Sequence, residues 1–271
     1  MSIARYFRVF CIAVFFAAFA AASLPAQSGS GMSLNGATGL YSIPSGRIGW
    51  EHGGHSAFGL DFGFHTIMSG GEANSIPKFA LSLFNFLEIS GAFDIRPEDS
   101  RGNDFIGGVK LQIPLTRTAL AFGGNYQSFR MQNFTDNYRD HFAWQIYAAV
   151  TFAGSFFNMP AETTIVFGRT FIEGYSNSNI DFGMGFELLL FPNVFENLVS
   201  WITDFANFSY SAYPFLADAW HRGVLNTGLR FNLSTIPAFT RFRFFADIML
   251  VDAFDHNRAF SAGFTFGIPI L

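Results

Sequence analysis

The chain has 271 residues and a formal net charge of −4, yet only 13% of its residues are charged, against roughly a quarter in soluble domains. Phe alone supplies 38 residues, aromatics make up 18%, and the mean hydropathy is +0.27. This excludes a disordered, solvating chain, and 16 Lys and Arg against 20 Asp and Glu leave no basic footprint for nucleic acid; a soluble enzyme is disfavoured, and the outer surface is expected to meet something other than water.

At the start of the chain, Arg5 and Arg8 form a basic region, 9–22 is an apolar run, and Ser23-Leu24-Pro25-Ala26 offers small residues for cleavage before Gln27. The run is short of the ~20 residues of a membrane-spanning helix, so 1–26 reads as a secretory signal peptide rather than an anchor. Cys11, the one cysteine, lies inside it, so the mature chain is expected to use no disulfide. Residues 27–55 follow as an N-terminal periplasmic segment. Leu40, Tyr41 and Ile43 are apolar for such a tail, Gly36 and Gly39 permit positive φ, and Pro44 fixes a turn. Two readings stand for it: a small plug folded into the mouth of a barrel, or an ordinary first strand.

From residue 56 to 271 the recurring signal is period-2 alternation, and no apolar run approaches membrane-helix length. Segments 56–68, 77–84, 87–96, 104–114, 118–130, 142–153, 162–172, 179–190, 198–210, 221–232, 240–252 and 259–270 read as strands. Connections after odd-numbered strands are the longer ones early in the chain, and the contrast fades later. The pattern predicts an all-β fold: an antiparallel transmembrane β-barrel of about 12 strands, within a range of about 10 to 14, with both ends at one rim. Segment 198–210 alternates poorly, and 162–172 is expected to change register near Gly168, as at a bulge. A soluble β-sandwich also alternates, but its outer faces are polar; here Lys occurs only at Lys78 and Lys110, and the apolar face is continuous Phe, Leu and Ile.

The apolar stripe, including Phe182, Phe186, Phe264 and Phe266, is expected to face lipid. An arginine at Gly263 is expected to cost less than one at Phe264, because it would enter the lumen. The final strand alternates most cleanly, and it is expected to carry the signal for the barrel-assembly machinery, with Pro269 at the rim because it lacks an N–H.

By parity the other face lines the lumen: Asp61 and His65; Lys78; Glu88, Asp94 and Arg96; Lys110 and Gln112; Asn125 and Gln127; Gln145; Asp181 and Glu187; Asp204; Asn226, Arg230 and Asn232; and Arg241, Arg243 and Asp247. Both signs occur in similar numbers. Either the charged rows line a hydrated pore, or acids and bases pair and close it. Arg230, Arg241 and Arg243 suggest a basic patch opposite Glu88 and Asp94.

Catalytic motifs are scarce, and the chain is not expected to be an enzyme. His55-Ser56 would point to opposite faces of a strand. His52 and His55 lack neighbouring ligands for a metal, and they read as polar rim residues, as do His221 and His256. Gly183 and Gly185 lie in a strand, not in a phosphate-binding turn. No cofactor is implied. Tyr138, His141, Tyr210, Tyr213 and Trp220, in or beside predicted loops 131–141 and 211–220, suit stacking on sugars or contact with protein.

Residues 36–47 read Gly-Ala-Thr-Gly-Leu-Tyr-Ser-Ile-Pro-Ser-Gly-Arg, followed by Gly53-Gly54; then come Ile76-Pro77, Phe79-Ala80-Leu81-Ser82-Leu83, Phe86-Leu87-Glu88-Ile89-Ser90-Gly91-Ala92 and Asp104-Phe105-Ile106-Gly107-Gly108-Val109-Lys110-Leu111. Over about 36–130 this resembles the YjbH-type outer-membrane barrel family associated with exopolysaccharide production. It departs at Gly46, where that family favours Ala, and the chain is shorter than the multi-part members. The resemblance implies a barrel and a link to surface glycan, and it transfers no catalytic residue. The expectation is therefore a bacterial outer-membrane barrel that acts as a pore or export component for polar solutes, with saccharides as the class the resemblance implies; the alternative is a structural or adhesive barrel with a closed lumen. Expected partners are outer-membrane lipid, the assembly machinery and a polysaccharide or small polar solute, with no nucleic acid.

Overall fold

The computed structural model describes residues 30–50, 58–96, 103–115, 117–132, 138–173, 180–207, 223–254 and 258–270. Residues 1–26, expected to be a signal peptide, and His52, His55, Tyr210, the expected loop 211–220, His221 and His256 lie outside the described residues.

The strands are β1 (Phe58–Ser69), β2 (Glu72–Leu83), β3 (Leu87–Asp94), β4 (Asp104–Pro114), β5 (Thr118–Gln132), β6 (Tyr138–Phe156), β7 (Met159–Ile172), β8 (Asp181–Leu189), β9 (Val199–Ala206), β10 (Val224–Asn232), β11 (Arg243–Val251) and β12 (Ala259–Ile270). Each pairs antiparallel with its neighbours in sequence, and β1 closes on β12 from Phe58↔Ile270 to Met68↔Phe260. The result is a closed 12-stranded barrel. Closure pairs the edges that lipid could not satisfy. No helix among the described residues is long and apolar enough to cross a membrane; the barrel strands are a separate matter.

Alternation sorts the two faces. Phe62, Phe79, Ile89, Val109, Phe122 and Phe264 are exposed on the outside, while their neighbours Asp61, Lys78, Glu88, Lys110, Ala121 and Thr265 are buried inside. Pro269 sits opposite Gly59, one pair from the barrel's end, where its missing N–H disturbs no central ladder.

The rim that carries Phe58 and Ile270, here the terminal rim, also carries the turns 84–86, 115–117, 157–158, 190–198 and 233–242. A four-residue helix, α1 (Pro192–Phe195), lies in the fourth of these. The opposite, far rim carries the others.

Several boundaries differ from the sequence reading. β2 begins at Glu72, so the first connection shrinks to Gly70-Gly71, at φ 59° and 90°. Pairing of Asn74 and Ser75 with β1 extends the strand through residues whose polarity reads as a loop. β5 reaches Gln132 and β6 starts at Tyr138, so most of the expected loop 131–141 is strand. β7 pairs without interruption through Gly168, with Tyr147 on one side and Asp181 on the other, so there is no bulge there. Arg169 points outward and lies over the Phe171 ring; an outward arginine is what gave the impression of a register change.

The expectation for Gly263 is overturned as well. A Cβ there would stand 2.4 Å from both the His65 ring and the Phe64 carbonyl oxygen, so the inner wall has no room for an arginine. The depth of the outer face supplies a better comparison. Phe264 lies mid-strand, whereas Phe260 lies near the far rim, opposite Met68. Phe264→Arg is expected to cost ~2–4 kcal/mol in a folding titration in lipid vesicles, and Phe260→Arg ~0–1 kcal/mol. Equal costs would contradict the assigned membrane depth.

Candidate functional site: the occupied lumen

Residues 30–50 lie inside the barrel. They form no regular strand, only the isolated bridges Met32↔Thr38 and Gly39↔Pro44. A few internal bonds set the path: Leu34 N–H to the Tyr41 carbonyl at 2.8 Å, Leu40 N–H to Ile43 at 3.1 Å and Ser45 N–H to Thr38 at 3.0 Å. Leu34, Leu40, Tyr41 and Ile43 pack with Ile67, Ile76, Ile106, Tyr147, Val166, Ile202 and Met249 of the wall in one apolar cluster. Burial pushes the Tyr41 hydroxyl above the usual tyrosine range.

The polar wall holds this segment chiefly by its backbone. Glu88 accepts from Thr38 N–H at 2.9 Å and Gly49 N–H at 3.1 Å. Asp204 accepts from Tyr41 N–H at 2.9 Å and Ser42 N–H at 2.7 Å. Thr151 takes Gly46 N–H at 2.8 Å, and Gln112 takes Ile48 N–H at 3.2 Å. The cations meet carbonyls. Lys78 donates to Met32 and Ser33 at 2.9 and 2.8 Å, and Lys110 to Thr38 and Arg47 at 2.9 and 2.6 Å. Arg230 donates to Gly39 at 3.2 Å and Arg243 to Ser30 at 2.5 Å. Side-chain bonds are added by the hydroxyls of Thr38 to Glu88 and Ser42 to Asp204, and by the Trp50 indole to Asp61.

The same groups also pair with each other. Lys110 meets Glu88 at 2.9 Å, and the Arg230 guanidinium forks onto Asp247 at 2.8 and 3.0 Å while reaching Glu187 at 3.1 Å. Arg243 pairs with Asp61, and His65 lies 3.4 Å from Asp247. Near the far rim Arg96 bridges Asp94 and Asp104 at 3.1 and 2.6 Å. Asn125, Gln145, Thr170 and Asp181 form a hydrogen-bonded row across β5 to β8.

Of the residues expected to line the lumen, Asp61, His65, Glu88, Asp94, Lys110, Gln112, Asp181, Arg230 and Asp247 are buried, and Arg96, Glu187 and Arg243 are part-buried within the pairs above. Arg241 is a correction: β11 begins two residues later, and Arg241 is exposed in the preceding turn. The proposed basic patch does not form either, because Arg230 and Arg243 each have their own carboxylates.

Glycines decide the fit. Gly36 has φ 88°, and a Cβ on it would stand 2.5 Å from the Gly91 carbonyl oxygen; at Gly46 one would stand 2.2 Å from that of Ala119. On the wall, the space above Gly59 is filled by the Trp50 ring, above Gly183 by Ile43 and above Gly185 by Leu40. In the sequence Gly183 and Gly185 show only as strand positions. Their pairing with large side chains of 30–50 has no signature within either segment alone.

Among the described residues no group of three or more His, Cys, Asp or Glu side chains could hold a metal ion. Fold and site together define a closed outer-membrane-type β-barrel with an occupied lumen. No family model and no curated protein matches the chain. Among solved structures it is similar to KdgM porin, with TM-score 0.50 and 4% identity over 76% of this chain and 98% of that one. It is also similar to KdgM porin in complex with disordered oligogalacturonate (TM-score 0.49, 5% identity, 76% and 98% covered) and to the outer membrane protein Omp33 of Acinetobacter baumannii (0.44, 9%, 79% and 98%). At such identities the likeness is one of fold.

Two substitutions test how the segment is held. Glu88→Ala leaves buried Lys110 without its carboxylate and is expected to cost about 3–5 kcal/mol. Gly36→Ala adds a left-handed alanine, at ~1–2 kcal/mol, and drives it into the Gly91 backbone. Amide hydrogen exchange is expected to rise across 30–50 in both variants while the strand ladders stay protected. Uniform loss of protection would mean that segment and barrel unfold as one unit.

Proposed function

We propose that the protein is a bacterial outer-membrane pore for polar solutes whose lumen is closed, in the state seen here, by its own N-terminal segment. The carrying observation is the inner wall. Its rows of acids, bases and amides hold the irregular backbone of 30–50 in the closed state, and the same polar lining suits a hydrated path once the segment moves aside. The apolar outer band and the closed sheet support a site in the outer membrane, with the terminal rim toward the periplasm. The resemblance over about 36–130 favours a saccharide as the solute and export of surface glycan as the setting.

Arg243 is the clasp of the closed state. It touches both ends of the segment, donating to Ser30 while lying 5.9 Å from the Trp50 ring, and it is anchored by Asp61. In planar bilayers the intact protein is expected to conduct in brief, rare openings. Arg243→Ala combined with Asp204→Asn, which removes the clasp and weakens the farthest anchor, is expected to raise the open fraction at least tenfold, corresponding to ~1.4 kcal/mol of lost closure. Oligogalacturonate, named with one of the neighbours in fold, is a first solute for blocking the current. Silence of both proteins in folded, membrane-inserted form would favour the structural or adhesive barrel.

A further inference from the structure

The charges of the inner wall are not spread evenly along the barrel. In its terminal half acids and bases balance. Lys110 meets Glu88, Arg243 meets Asp61 and Arg47 meets Glu162, while Arg230 serves both Asp247 and Glu187. Lys78, on the carbonyls of Met32 and Ser33, supplies a further cation. Toward the far rim the balance fails. Asp94 ends β3, Asp104 and Asp181 open β4 and β8, and Asp204 lies two residues from the end of β9. Arg96 is shared by Asp94 and Asp104. Asp181 and Asp204 accept hydrogen bonds but meet no cationic side chain among the described residues. By sequence, the connections of that rim do not restore the balance: 97–102, 133–139, 208–222 and 255–257 together hold five acids and three arginines.

Hydrogen bonds sharpen the excess. Asn125 donates to Gln145 at 2.8 Å, Gln145 to Thr170 at 3.0 Å and Thr170 to Asp181 at 2.5 Å, so every donor in this row runs toward one carboxylate. None of the four side chains is spent on holding residues 30–50. Two positions along β5 from Asn125, Gln127 is only 7% exposed, and its Nε2 has no hydrogen-bond partner. It lines a recess together with Asp94 and Asp104. A buried donor left unpaired is costly, and one beside two carboxylates points to an oxygen supplied from outside the chain.

We propose that the far mouth is a cation filter, which admits amine-bearing polar solutes and holds back polyanions. The inference rests on the reading of the barrel as a pore and names the charge of what it passes. Carboxylates of one sign on a low-dielectric wall focus the field and concentrate cations at the opening. The amides and the Thr170 hydroxyl match the oxygens of a solute whose ammonium group meets the acids. Within the saccharide reading, an amino sugar with a free amine carries both groups.

The test begins with Gln127→Cys in a Cys11→Ser background, folded in detergent, and needs no current. Its rates of modification by trimethylammonium-ethyl and sulfonato-ethyl methanethiosulfonate are compared with those of 2-mercaptoethanol. The cationic reagent is expected to be favoured several-fold beyond that reference, and adding Asp181→Asn is expected to remove much of the preference. A ratio equal to the reference would overturn the proposal. So would failure of both reagents to react, because a filter must be within reach of solutes. In planar bilayers under a KCl gradient, openings of the intact protein are expected to reverse on the potassium side, and a glucosamine tetramer to block them at several-fold lower concentration than oligogalacturonate. Chloride-selective openings, or tighter block by oligogalacturonate, would overturn the filter and leave the pore standing. Absence of current would count against the pore, and the thiol rates would still decide the filter.

Discussion

Irregular backbone has no place at membrane depth unless something satisfies its N–H and C=O groups, and residues 30–50 are irregular backbone enclosed by a barrel. The wall answers with charge. Carboxylates of Glu88 and Asp204 each receive two amides, and the ammonium groups of Lys78 and Lys110 each serve two carbonyls. Such charge-assisted bonds are stronger than neutral ones. They also explain why the wall carries ions at all, since an ion pair alone rarely repays its desolvation. Lys110 and Glu88 are each other's partner and, at the same time, the partners of the segment that covers them.

This arrangement divides the work between charge and shape. The wall contacts mostly backbone, which many sequences could present. What selects this segment is the fit of large side chains to bare glycine: Trp50 over Gly59, Ile43 against Gly183 and Leu40 against Gly185. The converse contacts, Gly36 on Gly91 and Gly46 on Ala119, bring the segment close enough for its amides to reach the acids.

How legible this was from the sequence followed from periodicity. β4 and β12 occupy 104–114 and 259–270, as read from their alternation, because one face meets lipid and the other does not. The start of β2 was missed because Asn74 and Ser75 look like loop until β1 pairs with them. Parity placed Glu88, Lys110, Arg230 and Asp247 on the inner face, yet it could not name their partners. Amides and carbonyls of Thr38, Gly39 and Gly49 leave no mark in a sequence, and an aperiodic stretch gives no face to assign. Leu40, Tyr41 and Ile43 were the one visible sign, being apolar where a periplasmic tail would be polar.

The path of the segment constrains how the lumen could clear. It starts beside Arg243, the first residue of β11, at the terminal rim. It reaches furthest at Tyr41 to Ile43, against Asp204 of β9 and Gly183 of β8 near the far rim, and returns to Asp61 at Trp50. Both ends of the inserted loop therefore share one rim, the rim at which β1 begins with Phe58. A segment so threaded can leave only toward the side it came from, without crossing the wall or passing its tip through the far loops. Along that route the anchors release unequally. Arg243 and Asp61 hold the entrance, whereas Asp204 holds only the tip through Tyr41 and Ser42. Displacing the tip alone would leave the lower lumen filled, so a clear path requires the entrance clasp to open as well.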